Sequence, residues 1–313
     1  MAVYTDIDAE TLAAFLADYD LGAATGFVGI LQGVENTNYR LETPAGRFVL
    51  TVFERRTAAA DLPYFLALMS HLAAACFPAP RPVDRRTGGE IGRISGKAAA
   101  IVAFLDGVST ETPTAADAHA AGGALARLHL AGCDFPGRRP NDLGAIHWRA
   151  LFQKSAGRAD EVAPGLGAEI LASLDWLEAC WPADLPTGAI HADLFPDNLF
   201  LKDGAVSGVI DFYFACDDAY AYDLAIMLNA WCFDREGCWR DDLSEALTAG
   251  YRAERPLSFA EAVALPTLLA GAAMRFLLTR LYDWLNPAPG ALVRPKNPLQ
   301  QLACLRLHRS RLP

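Results

Sequence analysis

A chain of 313 residues with 52% hydrophobic content is long enough for one large or two ordinary domains around a packed core. Its 27 Lys and Arg against 37 Asp and Glu leave a net charge of -10, which argues against a nucleic-acid or anionic-membrane partner, although a local basic pocket stays open. Seven scattered cysteines, odd in number and without C-x-x-C spacing, indicate neither a disulfide framework nor a zinc site.

The first ten residues carry Asp6, Asp8 and Glu10 with no basic stretch before an apolar core, so they do not read as a secretory signal, and the protein is expected to be cytoplasmic. Apolar residues at Leu12, Phe15, Leu16 and Tyr19 predict an opening amphipathic helix over Asp8 to Asp18. Three strands follow, Phe27 to Leu31, Tyr39 to Glu42 and Arg47 to Phe53, with Pro44-Ala45-Gly46 as the second turn. A helix over Ala58 to Ala75 ends at the cluster Pro78, Pro80 and Pro82, and two further strands are predicted over Glu90 to Ile94 and Lys97 to Leu105. The result is a five-stranded antiparallel sheet with a helix inserted after the third strand. Asp106-Gly107 breaks the pattern, so we place a boundary there, between residues 1–106 and 107–313.

Thr114 with Asp117 forms a capping-box signature for a helix running to about Leu130. Further helices are predicted over Trp148 to Ser155, Ala168 to Cys180, Tyr222 to Trp231, Asp241 to Tyr251, Phe259 to Trp284 and Leu299 to Arg309. The greasy run Leu265 to Leu285 contains Arg275, Arg280 and Asp283, which favours a buried amphipathic helix over a membrane span.

The chemistry concentrates between Ala189 and Phe214. Asp193 and Asn198 stand five positions apart on a loop, because Pro196 between them lacks the amide proton that a helix interior needs. Leu199 to Leu201 and Val206 to Ile210, separated by Lys202-Asp203-Gly204, read as a β-hairpin that ends on a third acidic residue, Asp211. The hairpin can bring Asp211 back beside Asp193 and Asn198. Phosphoryl transfer needs this set: a carboxylate for the acceptor hydroxyl, oxygen ligands for magnesium, and donors over the nucleotide phosphates. His191-Ala-Asp193 with Asn198 has the H-x-D-x-x-x-x-N spacing of a kinase catalytic loop, and Asp211-Phe212-Tyr213 stands where kinases carry D-F-G. The plain alternative is that Asp193 and Asn198 cap turns while Asp211 ends a strand.

On these motifs the sequence resembles the aminoglycoside phosphotransferase and choline kinase branch of the protein-kinase-like fold. Within that branch it is most similar to bacterial homoserine kinases, through Gly33 to Tyr39, Phe48 to Arg56, Arg127-Leu-His129, Ala230 to Asp234 and Arg275 to Asp283. The resemblance implies a bilobal α+β fold, with a nucleotide-binding sheet lobe, a larger helical lobe, and ATP with Mg2+. It implies Asp193 as catalytic base and Asn198 and Asp211 as metal ligands. Gln32, Gly33, Asn36, Thr37 and Asn38 would lie over the phosphates, and Val102, Ala103, Phe104 and Leu105 would offer backbone groups to adenine.

One departure is plain: the third strand offers Thr51 where kinases carry a lysine, and the next helix lacks the partnering glutamate. Arg55 or Arg56 could supply the missing charge, or could be solvated strand-end residues. His191 is expected to brace the catalytic loop and Asp223 to cap its own helix. His129 is expected to be a packed or capping histidine. The acceptor implied is L-homoserine, with Arg275, and less so Arg280, as candidates for its carboxylate and Trp231 and Tyr282 as pocket walls. The alternatives are a kinase of this fold acting on an amino alcohol, a sugar or an aminoglycoside, and a nucleotide-binding regulator without turnover.

Overall fold

A computed structural model of the protein describes residues 4–30, 36–54, 58–287 and 295–312. Helix α1 (Ala9–Leu16) starts where Asp8 accepts a hydrogen bond from the Thr11 amide, and it buries Leu12, Phe15 and Leu16. Strands β1 (Gly26–Ile30), β2 (Thr37–Thr43) and β3 (Gly46–Val52) follow. Helix α2 (Leu62–Ala74) begins four residues later than its periodicity suggested, because Pro63 without an amide proton fits only the first turn. With β4 (Gly92–Ile94) and β5 (Lys97–Ala103) the strands form the five-stranded antiparallel sheet that the sequence predicted, and the structure gives its order as β1-β2-β3-β5-β4.

Side chains alternate across this sheet. Leu41, Leu50, Val52 and Ile101 point to α1 and make a small core with it. The register Asn38↔Thr51↔Ala100 puts those three on the opposite face, toward the helical part.

Helix α3 (Ala115–Ala131) carries the predicted capping box between Thr114 and Asp117. Then come α4 (Trp148–Gln153), α5 (Leu166–Cys180) and β6 (Thr187–Ile190). The hairpin β7 (Leu199–Lys202) and β8 (Ala205–Val209) is where the alternation placed it. Strand β9 (Cys216–Ala219) pairs antiparallel with β6, a ladder the sequence did not reveal, since both strands are four residues long and Cys-Asp-Asp-Ala has no period-two pattern. Helices α6 (Tyr220–Trp231), α7 (Asp241–Glu254), α8 (Phe259–Leu285) and α9 (Pro298–Ser310) complete the order.

The apolar core runs across residue 106: Phe65, Leu68, Met69 and Leu72 of α2 share a cluster with Leu125 and Leu128 of α3. Helix α8 is long and apolar enough to cross a membrane by length and composition. Its Leu268, Met274, Leu277 and Leu281 instead pack with Ile170 and Leu174 of α5 and Leu302 and Leu305 of α9. This packing carries the helix through Pro266, which removes one hydrogen bond of its ladder.

Helices α3 and α7 touch backbone to backbone. A Cβ on Gly122 would lie 2.0 Å from the Leu247 carbonyl oxygen, and one on Gly250 would lie 2.0 Å from that of His119. Only glycine permits such an approach.

Candidate active site

The loop after β6 is tied to the hairpin by its own backbone. Asn198 Nδ2 donates to the Asp193 carbonyl at 2.9 Å, and the Ile210 amide donates to the Asn198 carbonyl at 3.0 Å. Asp211, next in line, takes the left-handed conformation at φ 65°, ψ 57°, which turns the chain out of β8 into the short Phe212–Phe214 turn. These bonds draw together the backbones of Asp193, Asn198 and Ile210, the residue before Asp211, with the Asn198 amide nitrogen turned toward the backbone.

His191 is fully buried and links the two segments. Its Nδ1 accepts from the Asp193 amide at 3.2 Å, so the proton sits on Nε2, which donates to the Ile210 carbonyl at 2.9 Å. Burial pushes its pKa down and keeps the imidazole neutral.

Asp223 does not cap its own helix. In the first turn of α6 it reaches back and accepts from the His191 amide at 2.8 Å, the Ala192 amide at 2.8 Å and His129 Nε2 at 3.0 Å. Both amides belong to the loop after β6, where Ala192 takes the left-handed conformation at φ 62°. Burial alone would raise the Asp223 pKa, but the hydrogen bond and charge of His129 and the His191 amide outweigh it, so the carboxylate stays ionised.

Behind His129 lies a buried chain that sequence reasoning missed. Its Nδ1 accepts from the Tyr251 hydroxyl at 2.8 Å, that oxygen receives Arg255 Nη1 at 3.2 Å, and Arg255 also donates to Glu261 at 2.8 Å. Glu261 in turn completes the capping box that Ser258 opens at the start of α8. A polar pair at the ends of two helices gives no periodic signal, so only the lone Glu261 on a greasy helix hinted at it.

Arg275 departs from expectation. It is 2% exposed, its Nη1 donates to the Ala192 carbonyl, and its guanidinium lies over Phe276 at 4.5 Å and near Phe214 at 5.6 Å. It thus holds the loop at Ala192, the residue whose amide Asp223 accepts, and is enclosed in the interior. Trp231, 1% exposed, likewise donates Nε1 to the Leu194 carbonyl at 3.0 Å and braces the loop instead of walling a pocket. Tyr282 is 39% exposed on α8. Arg280, one turn beyond Phe276 on the same helix, is half-buried and donates to Gln300 at 3.3 Å.

On the sheet side, Thr51 donates to Asn38 Oδ1 at 2.7 Å, and the Thr51 hydroxyl also meets the buried Tyr213 hydroxyl, two residues past Asp211. Tyr213 stands edge-on to Phe53 and Phe65, so the turn that follows Asp211 is docked onto β3 and α2. Thr37 and Asn36 behave differently. The Thr37 hydroxyl donates to Glu54 at 2.7 Å on the α1 face, and Asn36 Oδ1 accepts from the Glu54 amide at 3.2 Å, so both side chains fasten the sheet at Glu54. Lys97, on β5, pairs with Glu54 on that same outer face and does not replace the lysine missing from β3. Gln32 and Gly33, with Arg55 and Arg56, lie outside the described residues.

At the lobe junction the Ala103 amide donates to the Arg81 carbonyl at 2.8 Å and the Phe104 amide to the Arg47 carbonyl at 3.1 Å. Those two donors are used within the protein, which narrows what this stretch can offer an adenine. Val102 lies in the ladder opposite Val49, and Leu105 packs against the hairpin at Gly208.

The phosphotransferase enzyme family matches residues 26–257, most of both lobes. The chain belongs to this phosphotransferase enzyme family. Within it, the chain is 55% identical over 310 residues to a homoserine kinase of Methylorubrum populi, covering 99% of this chain and 97% of that one. It is also 55% identical over 313 residues to a homoserine kinase of a Caulobacter species, covering 100% and 98%. Among solved structures of this fold, amicoumacin kinase in complex with AMP-PNP, Ca2+ and Ami superposes with a TM-score of 0.69 at 16% identity, covering 97% of this chain and 92% of that one. An aminoglycoside phosphotransferase superposes with a TM-score of 0.66 at 18% identity, covering 98% and 100%.

Proposed function

We infer that the chain transfers the γ-phosphoryl group of ATP to the side-chain hydroxyl of L-homoserine, giving O-phospho-L-homoserine, a step of threonine biosynthesis. The observation that carries this is the identity of 55% to homoserine kinases along essentially the whole chain, both lobes included.

The geometry supports a division of labour. Asp193 orients the acceptor hydroxyl and takes its proton as the oxygen–phosphorus bond forms, while the bond from the γ-phosphorus to the bridging oxygen breaks and ADP leaves. Asn198 Oδ1 and the Asp211 carboxylate would hold a divalent cation, which we assign as Mg2+. Both offer hard oxygen atoms, and the Asn198 nitrogen is already occupied by the Asp193 carbonyl, which turns the oxygen outward. Among the described residues no cluster of three or more His, Cys, Asp or Glu could hold a metal alone. That suits magnesium carried in by nucleotide phosphates and held by one or two protein groups. When bound, the ion neutralises charge on the β and γ phosphates. His191, Asp223 and Arg275 act through the loop, keeping Asp193 aligned so that catalysis is mainly positioning.

A coupled ADP-release assay with L-homoserine, L-serine, L-threonine, choline and aminoglycosides tests the reading. We expect turnover on L-homoserine far above the rest. Background-level release with L-homoserine, while another acceptor reacts well, would refute it.

A further inference from the structure

We propose that Arg280 and Lys296 form the subsite that reads the carboxylate of the acceptor, a role that rests on the homoserine reading above and extends it to specificity. An acceptor must present its hydroxyl to Asp193, and Phe195, two residues further along the loop, marks that side of the site. Phe195 stands edge-on to Phe276 of α8 at 5.1 Å, and Arg280, four residues after Phe276, projects from the same face of that helix. Lys296, two residues before α9, places its ammonium 5.1 Å from the centre of the Phe195 ring. One cation thus stands at the Phe195 ring, and a second follows one turn along α8 from the Phe276 ring that Phe195 touches.

Their surroundings set them apart. Many arginines of this acidic chain are tied to carboxylates, as Arg85 is to Asp18 and Arg306 to Glu169. Among the described residues, neither Arg280 nor Lys296 has a salt-bridge partner, and the hydrogen-bond partner of Arg280 is the neutral amide of Gln300. Burial pulls the Arg280 pKa below the usual arginine value, and the charge of Asp193 counteracts this, which places the two within electrostatic reach. A half-buried guanidinium facing a neutral amide keeps its planar fork for an incoming anion. Homoserine separates hydroxyl from carboxylate by three carbons, so a cation set one helical turn beyond Phe276 meets the carboxylate while the hydroxyl faces Asp193. The same pair repels polycationic acceptors such as aminoglycosides, so a single feature selects one class and rejects another. Arg275, enclosed against the loop, has no part in this.

The test is steady-state kinetics on wild type, Arg280→Gln, Arg280→Lys and Lys296→Gln, each with L-homoserine and with L-homoserine amide, which lacks the negative charge. Arg280→Gln should raise KM for L-homoserine about 30-fold or more, as expected for truncating a charge pair shielded from water. It should leave KM for MgATP within about two-fold and raise KM for the amide far less than KM for the acid, and Arg280→Lys should restore part of the loss. Lys296→Gln should raise KM for L-homoserine about three-fold, since exposed pairs contribute less. Equal losses on acid and amide, or a fall in kcat at constant KM, would overturn the proposal. Thermal melts matching wild type show that each variant is folded. If wild type ignores L-homoserine but phosphorylates another acceptor, the homoserine reading fails by itself. The carboxylate subsite is then judged on whether Arg280→Gln discriminates that acceptor's acid from its amide, and absence of discrimination refutes it.

Discussion

The two walls of the cleft are built on different principles. The helical wall carries its charges on a loop that is clamped by Asp223 on the amides of His191 and Ala192 and by Arg275 on the Ala192 carbonyl. The sheet wall presents the neutral pair Asn38 and Thr51, and its lysine, Lys97, is turned to the far face. Ion pairing and charge-assisted hydrogen bonds thus hold the helical wall, while the described part of the sheet wall is neutral and docks Tyr213.

That contrast can be broken at four points. The largest effect belongs to Asp193→Asn, which should lower kcat about 1,000-fold, the usual range for a positioned base, with an unchanged melting temperature. A single-turnover measurement showing equal rates for variant and wild type would remove Asp193 from the chemistry. Next, Asp223→Ala leaves two buried amides and a histidine N–H without their acceptor and should destabilise the protein by about 3 to 5 kcal/mol in urea unfolding, as broken buried pairs do. The variant should also lose turnover, and a stable, active protein would mean that the loop holds itself.

The third point is pH. His308, buried and donating Nε2 to Asn229 Oδ1 at 2.7 Å, has its pKa pushed down to about 4 by burial, with the charge of Arg311 adding to it. Between about 4 and the ordinary 6.5 the unfolded chain binds more protons than the folded one, so stability falls as pH drops through that window and is flat above it. The linkage amounts to about 3 kcal/mol, and His308→Gln should flatten the curve of unfolding free energy against pH between 7 and 4. The Asp223 carboxylate works lower down: its pKa is depressed, so its contribution is present above the unfolded carboxylate value and is lost only as pH falls below it. The smallest effect is expected from Thr51→Val on the sheet wall, about 1 kcal/mol or less in stability and a few-fold in KM for MgATP. A collapse of kcat there would show that the sheet wall aligns the reaction after all.

Much of this was legible in the sequence. The five-stranded sheet, the hairpin and the Asp193, Asn198 and Asp211 constellation announce themselves through alternation, turn residues and fixed spacing, all local signals. What stayed hidden depends on long-range contact. Asp223 reads as a cap because it opens a helix, yet its partners lie about thirty residues upstream. Arg275 reads as a ligand because it is a charge on an apolar face, but the Ala192 carbonyl is brought to it only by the folded loop. Asn36 and Thr37 sit beside the cleft in sequence, while strand alternation turns the Thr37 hydroxyl to the other face.

The glycine contact between α3 and α7 has a consequence for the order in which the protein matures. Because Gly122 and Gly250 let the two backbones meet, the Tyr251 hydroxyl comes within reach of His129, and through it of Asp223 and the catalytic loop. A ribosome releases His191 and Ala192 well before it makes Tyr251, Arg255 and Glu261. The loop therefore reaches its final hydrogen bonding only after the C-terminal helices have docked, so activity becomes a late readout of complete folding.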